Sequence, residues 1–406
     1  PGIVWACHAQ APDGLDASRI KAIADVLEAD HPLGADWRQL VTFAARYYQR
    51  SLGELAVSAL PPALRDATPE QWARKRSRWA KAPKPALSDA PSEGRDALPP
   101  SLEQAAALSA LAQPDGRPSL LFGATGSGKT EVYMQHAHTV LSQDPQAQVL
   151  VLVPEINLTP QLEARFTQRF AQHGVVSLHS GLTPAQRLNH WWAAHTGAAR
   201  IVLGTRLAVL ASVPHLRLII VDEEHDASYK AQDGARFSAR DLAIYRAKQV
   251  GFGVVLGSAT PSLETWHACE QGRYRRLTMP SRMGDSALPT LRLVDMHHAP
   301  KGATLAPALL AAMGERIAKG EQCMVLLNRR GYAPVLACHD CGWKSDCPHC
   351  SAHMVFHKTD RTLRCHHCSH TVRVPRACPE CGNLDIAPVG KGTEQIEEQL
   401  AAQVIR

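Results

Sequence analysis

The chain reads as an α/β protein built on a parallel sheet, with a small helical region before the sheet and a cysteine-rich module after it. Three observations predict this. Between Leu102 and about Val294, five aliphatic runs (SLLFG, VLVLVP, RIVLGT, LRLIIVDE, FGVVLGSAT) alternate with polar turns and helix-like segments. Strands that are apolar on both faces and joined by helical crossovers form parallel sheets. The first run leads straight into a glycine-rich turn that opens a helix. Eight of the eleven cysteines lie between Cys338 and Cys381 as four Cys-x-x-Cys pairs.

The 406 residues suffice for two or three domains, and 45% hydrophobic with 20% charged residues is ordinary for a soluble globular chain. No run of 18 apolar residues and no signal-peptide pattern occurs, so a cytoplasmic, nucleoid-associated location is expected. Pro1 stands where a start methionine would, which suggests that the true N-terminus is absent. A net charge of +6, with 20 histidines, is compatible with a polyanionic partner but common among metabolic enzymes too. Cys7, Cys269 and Cys323 stand alone and read as small buried apolar residues.

In chain order, residues 1–12 are too short for a domain. Ile20, Ile23, Ala24, Leu27, then Trp37, Leu40, Val41, Ala44, Ala45, Tyr48, then Leu52, Leu55, Ala56, Ala59, Leu60 recur at helical spacing. Three short helices predict a trihelical domain over residues 13–70, a form used both for DNA binding and for packing alone. Residues 71–100, rich in Pro, Lys and Arg, read as a linker. Its Arg74, Lys75, Arg76 and Arg78, beside Trp72 and Trp79, could touch phosphates and bases, but a solvated linker is the preferred reading.

Gly123, Ala124, Thr125, Gly126, Ser127, Gly128, Lys129 and Thr130 match G-x-x-x-x-G-K-[ST] between a strand and a helix, the context that defines a P-loop. Such a loop turns backbone N–H groups inward around a β-phosphate at a helix N-terminus. Lys129 is expected to bridge the β- and γ-phosphates of ATP, and Thr130 to offer its hydroxyl to Mg2+. The strand LRLIIV ends in Asp222-Glu223. One carboxylate suits the magnesium shell and the other suits orienting the attacking water, so Lys129, Asp222 and Glu223 are the expected catalytic set.

The pairs Cys338/Cys341, Cys347/Cys350, Cys365/Cys368 and Cys378/Cys381 supply eight thiolates, enough for two tetrahedral zinc sites of four cysteines each. A filled ligand set leaves no position for water, so both sites are expected to be structural. Spacing leaves open whether pairs nest or cross-brace. Arg361, Lys358, Arg364 and Arg373 make the module basic.

Asp222-Glu223-Glu224-His225 has the form of a DExH box, and Gly257-Ser258-Ala259-Thr260 has the form of a helicase Ser-Ala-Thr motif. Pro154-Glu155 and Gly204-Thr205-Arg206 follow other strands, as the backbone-holding loops of superfamily 2 helicases do, and Gln104 stands where helicases place an adenine-reading glutamine. With DEEHDASYKAQDGARFSARDLAIYRA, LVPEINLTPQL, LHSGLTPAQR, LLNRRGYAP and the cysteine block, these segments cover nearly the whole chain and resemble the PriA family of bacterial replication restart helicases.

The resemblance implies a RecA-like ATP-binding lobe at 101–296, a winged-helix-like domain at 13–70, and residues 1–12 as the tail of an otherwise missing domain that binds DNA 3′ ends. A partial second lobe at 297–406 would begin with the strand Gly320–Pro334, hold the zinc module at 338–381 and resume at Gly390-Lys391-Gly392-Thr393-Glu394. It also implies nested zinc pairing: Cys338, Cys341, Cys378 and Cys381 on one ion, and Cys347, Cys350, Cys365 and Cys368 on the other. Tyr229, Arg236, Phe237 and Arg206 would sense DNA, the aromatics by base stacking or merely by anchoring their loop. The implied activity is ATP-dependent 3′–5′ unwinding of stalled or repaired forks to start primosome assembly. Implied partners are forked and single-stranded DNA, single-stranded-DNA-binding protein, PriB, DnaT and, indirectly, the replicative helicase and its loader. A DNA-bound scaffold switched by ATP is the alternative. The chain reads as truncated at both ends, without an arginine finger, so weak ATP binding and poor hydrolysis are expected of this piece alone.

Overall fold

The computed structural model describes residues 3–5, 18, 23, 32–65, 67–81, 99–113, 115–154, 160–282, 290–295, 305–326, 335–338, 340–358, 360–389, 396–397 and 400–401. They fall into two compact units, Pro1–Ala287 and Leu288–Arg406.

The first unit is organised by a seven-stranded, wholly parallel sheet: β1 (Ser119–Gly123), β2 (Gln148–Leu152), β3 (Val175–Leu178), β4 (Ile201–Gly204), β5 (Leu216–Val221), β6 (Gly253–Ser258) and β7 (Arg275–Met279), in the order β3-β4-β2-β5-β6-β1-β7. The five aliphatic runs form the interior, and β2 is buried along its whole length. The two strands not foreseen, β3 and β7, are the edges. Their residues are only partly covered, and β7 carries Arg275 and Arg276, so neither reads as a continuous apolar run. Because every strand runs the same way, all carboxyl ends reach one edge of the sheet, where parallel sheets gather ligand chemistry.

Before the sheet lie α1 (Ala35–Tyr47), α2 (Leu52–Ser58), α3 (Pro62–Arg65), α4 (Pro69–Lys81) and α5 (Leu102–Leu111). Crossover and flanking helices follow: α6 (Lys129–Gln143), α7 (Pro160–Arg169), α8 (Pro184–His195), α9 (Ala239–Val250) and α10 (Leu263–Glu270). Polar caps start many of them. Ser51 accepts from the Glu54 N–H at 3.2 Å, and Ser101/Gln104 and Thr183/Gln186 form reciprocal capping boxes.

The N-terminal helices do not enclose a core of their own. Trp37, Leu40 and Val41 belong to the same buried cluster as Leu150 and Ile219 of the sheet and Leu242 of α9. The Trp37 indole donates to the Leu210 carbonyl at 2.7 Å, and Phe43 stacks on Tyr245 of α9 at 3.6 Å between centroids. The helix expected around Ile20–Leu27 lies almost wholly outside the described residues.

The linker expected at 71–100 is corrected over its first part, because Pro69–Lys81 is the helix α4. A helix so polar is not stable by propensity alone. Its two tryptophans hold it: Trp72 is buried and meets Trp192 of α8 edge-on at 4.9 Å, while Trp79 stacks on Trp192 at 5.1 Å and donates to Asn189 Oδ1 at 3.2 Å. Residues 82–98 lie outside the described residues.

In the second unit, α11 (Pro307–Ala318) precedes two small antiparallel sheets: β8 (Val335–Cys338) with β12 (Ile386–Val389), and β9 (Val355–His357), β10 (Thr362–Arg364) and β11 (Thr371–Arg373) in the order β11-β10-β9. The strand expected from Gly320 is not formed over 321–326, where Met324 and Leu326 are exposed. None of the described strands pairs with that stretch, and an unpaired strand has no ladder to hold it. For the same reason Cys323, expected to be buried, is exposed, while Cys269 is half-buried on α10. Cys7 and residues 327–334 and 390–394 lie outside the described residues. Among the described residues no helix is long and apolar enough to cross a membrane.

Candidate nucleotide site and metal centres

The P-loop joins β1 to α6 at the carboxyl edge of the sheet. Gly126 and Gly128 take φ of 83° and 84°, which side chains rarely adopt, and Gly128 caps the N-terminus of α6. A Cβ at Gly123 would lie 2.6 Å from Ser127 Oγ, so the loop closes only around glycine there. The Lys129 ammonium donates to the Gly123 carbonyl at 3.0 Å and sits 3.9 Å from Glu223 Oε1. Ser127 Oγ is buried without a hydrogen-bond partner. A cradle of inward donors, one lysine and an orphaned hydroxyl fits a polyphosphate.

Asp222 and Glu223 follow β5 on the same edge. The Tyr133 hydroxyl on α6 donates to Asp222 Oδ1 at 3.0 Å, and the Tyr229 hydroxyl donates to the Asp222 carbonyl at 2.6 Å. Burial, reinforced by Glu223, pushes the Asp222 carboxyl above the usual range. Glu223 is held at φ 45°, a strained conformation for a non-glycine residue, and such strain gathers at functional sites. Thr130 occupies the first turn of α6 beside Lys129.

Two strand-end motifs meet directly. His225 Nδ1 and Ser258 Oγ share a 2.8 Å hydrogen bond, and Ser258 Oγ also accepts from the Thr260 N–H at 2.9 Å. Gln104 is buried: its Oε1 accepts from the Ser101 N–H at 2.8 Å, and its amide nitrogen lies within 3.4 Å of the Ser127 carbonyl and 3.5 Å of the Gly128 carbonyl. It thus braces the P-loop from behind.

The residues expected to sense DNA divide. Tyr229 and Phe237 are 2% and 5% exposed and anchor their loop in the lobe. Their apolar rings, next to the sheet, gain more from the core than from solvent. Arg206 donates to the Ser228 and Lys230 carbonyls at 3.0 and 3.2 Å, tying that loop to the end of β4. Arg236 is exposed at φ 45°. Glu155 lies outside the described residues.

Sequence reasoning missed Glu224. It is 1% exposed, accepts from Ser262 N–H at 2.7 Å, Thr265 Oγ at 2.9 Å and Ser262 Oγ at 3.1 Å, and pairs with Arg240 at 3.1 Å. It therefore joins the acidic box to the starts of α9 and α10. Tyr133 was also missed, since one tyrosine in a mixed helix carries no pattern.

In the second unit the eight sulfurs form two clusters, Cys338/Cys341/Cys378/Cys381 and Cys347/Cys350/Cys365/Cys368, each within 4.8 Å. This is the nested pairing. Contacts of 3.4–3.6 Å between sulfurs approach the ~3.8 Å edge of a tetrahedron with ~2.3 Å metal–sulfur bonds. β8 pairing with β12 brings the outer knuckles together, and the three-stranded sheet closes the inner ones. Gly342 and Gly382, at φ 76° and 74°, complete two knuckles by donating to the Cys338 and Cys378 carbonyls.

Comparison with known proteins places these sites. Residues 101–268 match the DEAD/DEAH box helicase model, 347–373 the PriA DNA helicase Cys-rich region domain, and 1–61 the 3'DNA-binding domain model, which thus reaches well past residue 12. The replication restart protein PriA of Haemophilus influenzae is 46% identical over 281 residues, 69% of this chain and 38% of that protein. That of Bacillus subtilis is 41% identical over 71% of this chain and 36% of its own. That of Rickettsia felis is 33% identical over 99% of this chain and 59% of its own, so the chain spans well under two thirds of these relatives. With the P-loop, the acidic box and the nested cysteine clusters in one chain, it belongs to the PriA family of replication restart proteins.

Proposed function

We propose that the chain is the ATP-hydrolysing part of a DNA helicase that moves 3′–5′ on stalled or repaired forks and starts primosome assembly. The observation that carries this is the meeting of Lys129, Asp222 and Glu223 at one sheet edge, with His225 of the acidic box bonded to Ser258 of the next strand end. A site that only bound nucleotide would not need the second connection.

ATP would lie in the loop 123–130, with Lys129 leaving Gly123 and Glu223 for the phosphates. Thr130 and Asp222 would hold Mg2+, which when bound neutralises charge developing on the phosphate oxygens. Glu223, freed from Lys129, is placed to orient the attacking water. Tyr133 keeps Asp222 in one orientation, and Gln104 holds the loop carbonyls, a role compatible with reading adenine once nucleotide is bound. Two zinc ions would hold the cysteine clusters. Forked DNA is the proposed substrate, supported by the 3'DNA-binding domain match, with Arg236 the exposed contact on a loop that Arg206 fastens to β4. Primosome proteins are the proposed downstream partners.

The test is ATP turnover by the zinc-loaded protein with and without forked DNA, and displacement of a strand from 3′- and 5′-tailed substrates. Stimulation by DNA, lost in Lys129→Ala, is expected. A wild-type rate indifferent to DNA overturns the proposal.

A further inference from the structure

Helix α4 has no part in the nucleotide chemistry. Its Trp72 and Trp79 dock on Trp192 of α8, which fixes the rotation of the helix. Arg74 and Arg78, one turn apart, are thereby exposed, with Lys75 beside them partly so. Among the described residues none of these three has an acidic partner within ion-pair distance. Like charges one turn apart repel by about 0.2–0.5 kcal/mol per pair. Glu70, one turn before Arg74, accepts from Thr68 Oγ at 2.8 Å and forms no ion pair with the row.

We propose that α4 is a rigid basic rail, fixed to α8 by its tryptophans, that binds the sugar-phosphate backbone of DNA through Arg74, Lys75 and Arg78. The inference rests on the reading that DNA is the substrate. DNA is favoured over an acidic protein because the helix follows, after the short α3, the region matched by the 3'DNA-binding domain model. It is also pinned to α8, at Asn189 and Trp192, so the cation row is held in one orientation. A cation row with no apolar residues among it suits a repeating anion and offers no pocket for a side-chain anchor.

The experiment measures affinity for forked DNA against salt, using wild type and R74A/K75A/R78A in the zinc-loaded protein, with thermal unfolding as a fold check. Each lost phosphate contact lowers the log–log slope by about 0.7–0.9. Three lost contacts mean that, between 50 and 200 mM salt, wild type loses about 20- to 40-fold more affinity than the variant. ATP turnover without DNA stays unchanged. A matched salt slope in the two proteins overturns the rail and makes the face a solvated one. A slope that falls for heparin but not for DNA overturns it equally. Wild type that binds forks without stimulation of ATP turnover sinks the helicase reading while leaving the rail measurable by its slope.

Discussion

His225 and Ser258, from the ends of neighbouring strands, share a 2.8 Å hydrogen bond, and Glu223 Oε2 lies 3.6 Å from the same imidazole nitrogen. A side chain touching both the residue that would orient water and the motif on the next strand can carry information between them. His225→Ala should therefore leave DNA-independent ATP turnover near wild type and lower its stimulation by DNA about tenfold, within the usual 5–150-fold range of such couplings. Paired rates with and without DNA check this. Equal losses in both rates would show a general defect instead of lost coupling.

Asp222 offers a test with a defined pH sign. Burial raises its folded pKa, so between the unfolded value near 3.9 and the raised one the native state binds more protons. Stability contributed by the neutral carboxyl is present at low pH and is lost as pH rises through the folded value. Asp222→Asn keeps the acceptor for the Tyr133 hydroxyl and removes the buried charge. The variant should unfold at higher denaturant than wild type near neutrality, by about 1.4 kcal/mol for each tenfold difference in proton affinity between the folded and unfolded carboxyl, and converge with it near pH 4. Its ATP turnover should be abolished.

Glu224 gives the largest expected loss of stability. It is almost fully buried and compensates Arg240, whose side chain is 17% exposed. Glu224→Ala leaves Arg240 with Asp241 as its one carboxylate partner and strips acceptors from Ser262 and Thr265, at a cost of about 1–3 kcal/mol. Glu224→Gln keeps an acceptor and should cost clearly less. Denaturant titration of both variants decides, and equal costs would place the effect in packing instead of charge.

What was legible in the sequence follows from what has a local pattern. The interior strands, the P-loop, the acidic box and the Cys-x-x-Cys pairs each have a period or spacing, and each forms as expected, while the nesting of the pairs came from the family resemblance. Helix α4 had none, because its stability comes from Trp192, more than a hundred residues away. Nor could spacing say that Tyr229 and Phe237 face inward, since exposure is decided by what packs above a loop. Glu224 looked like one acid in an acidic run. Only the fold shows that Ser262, Thr265 and Arg240 converge on it.

Three of the four cysteine knuckles close in the same way, and one of these three differs at the closing residue. Four residues after Cys338 and Cys378 stand Gly342 and Gly382, both left-handed, each donating to the carbonyl of its cysteine. Four residues after Cys365 stands Ser369, at φ 65°, making the same bond to Cys365 at 2.9 Å. A serine there bears the cost of a Cβ near the following carbonyl, roughly 1–2 kcal/mol, part of which glycine returns through its greater unfolded-state entropy. Ser369→Gly should therefore stabilise the inner cluster by about 1 kcal/mol, a roughly fivefold rise in the chelator concentration that half-empties it. Zinc release followed with a colorimetric chelator measures this. The outer cluster, closed by β8 and β12, serves as internal control and should release its metal as in wild type. A variant that loses the inner metal more easily would show that the Ser369 side chain, not its backbone, supports the knuckle.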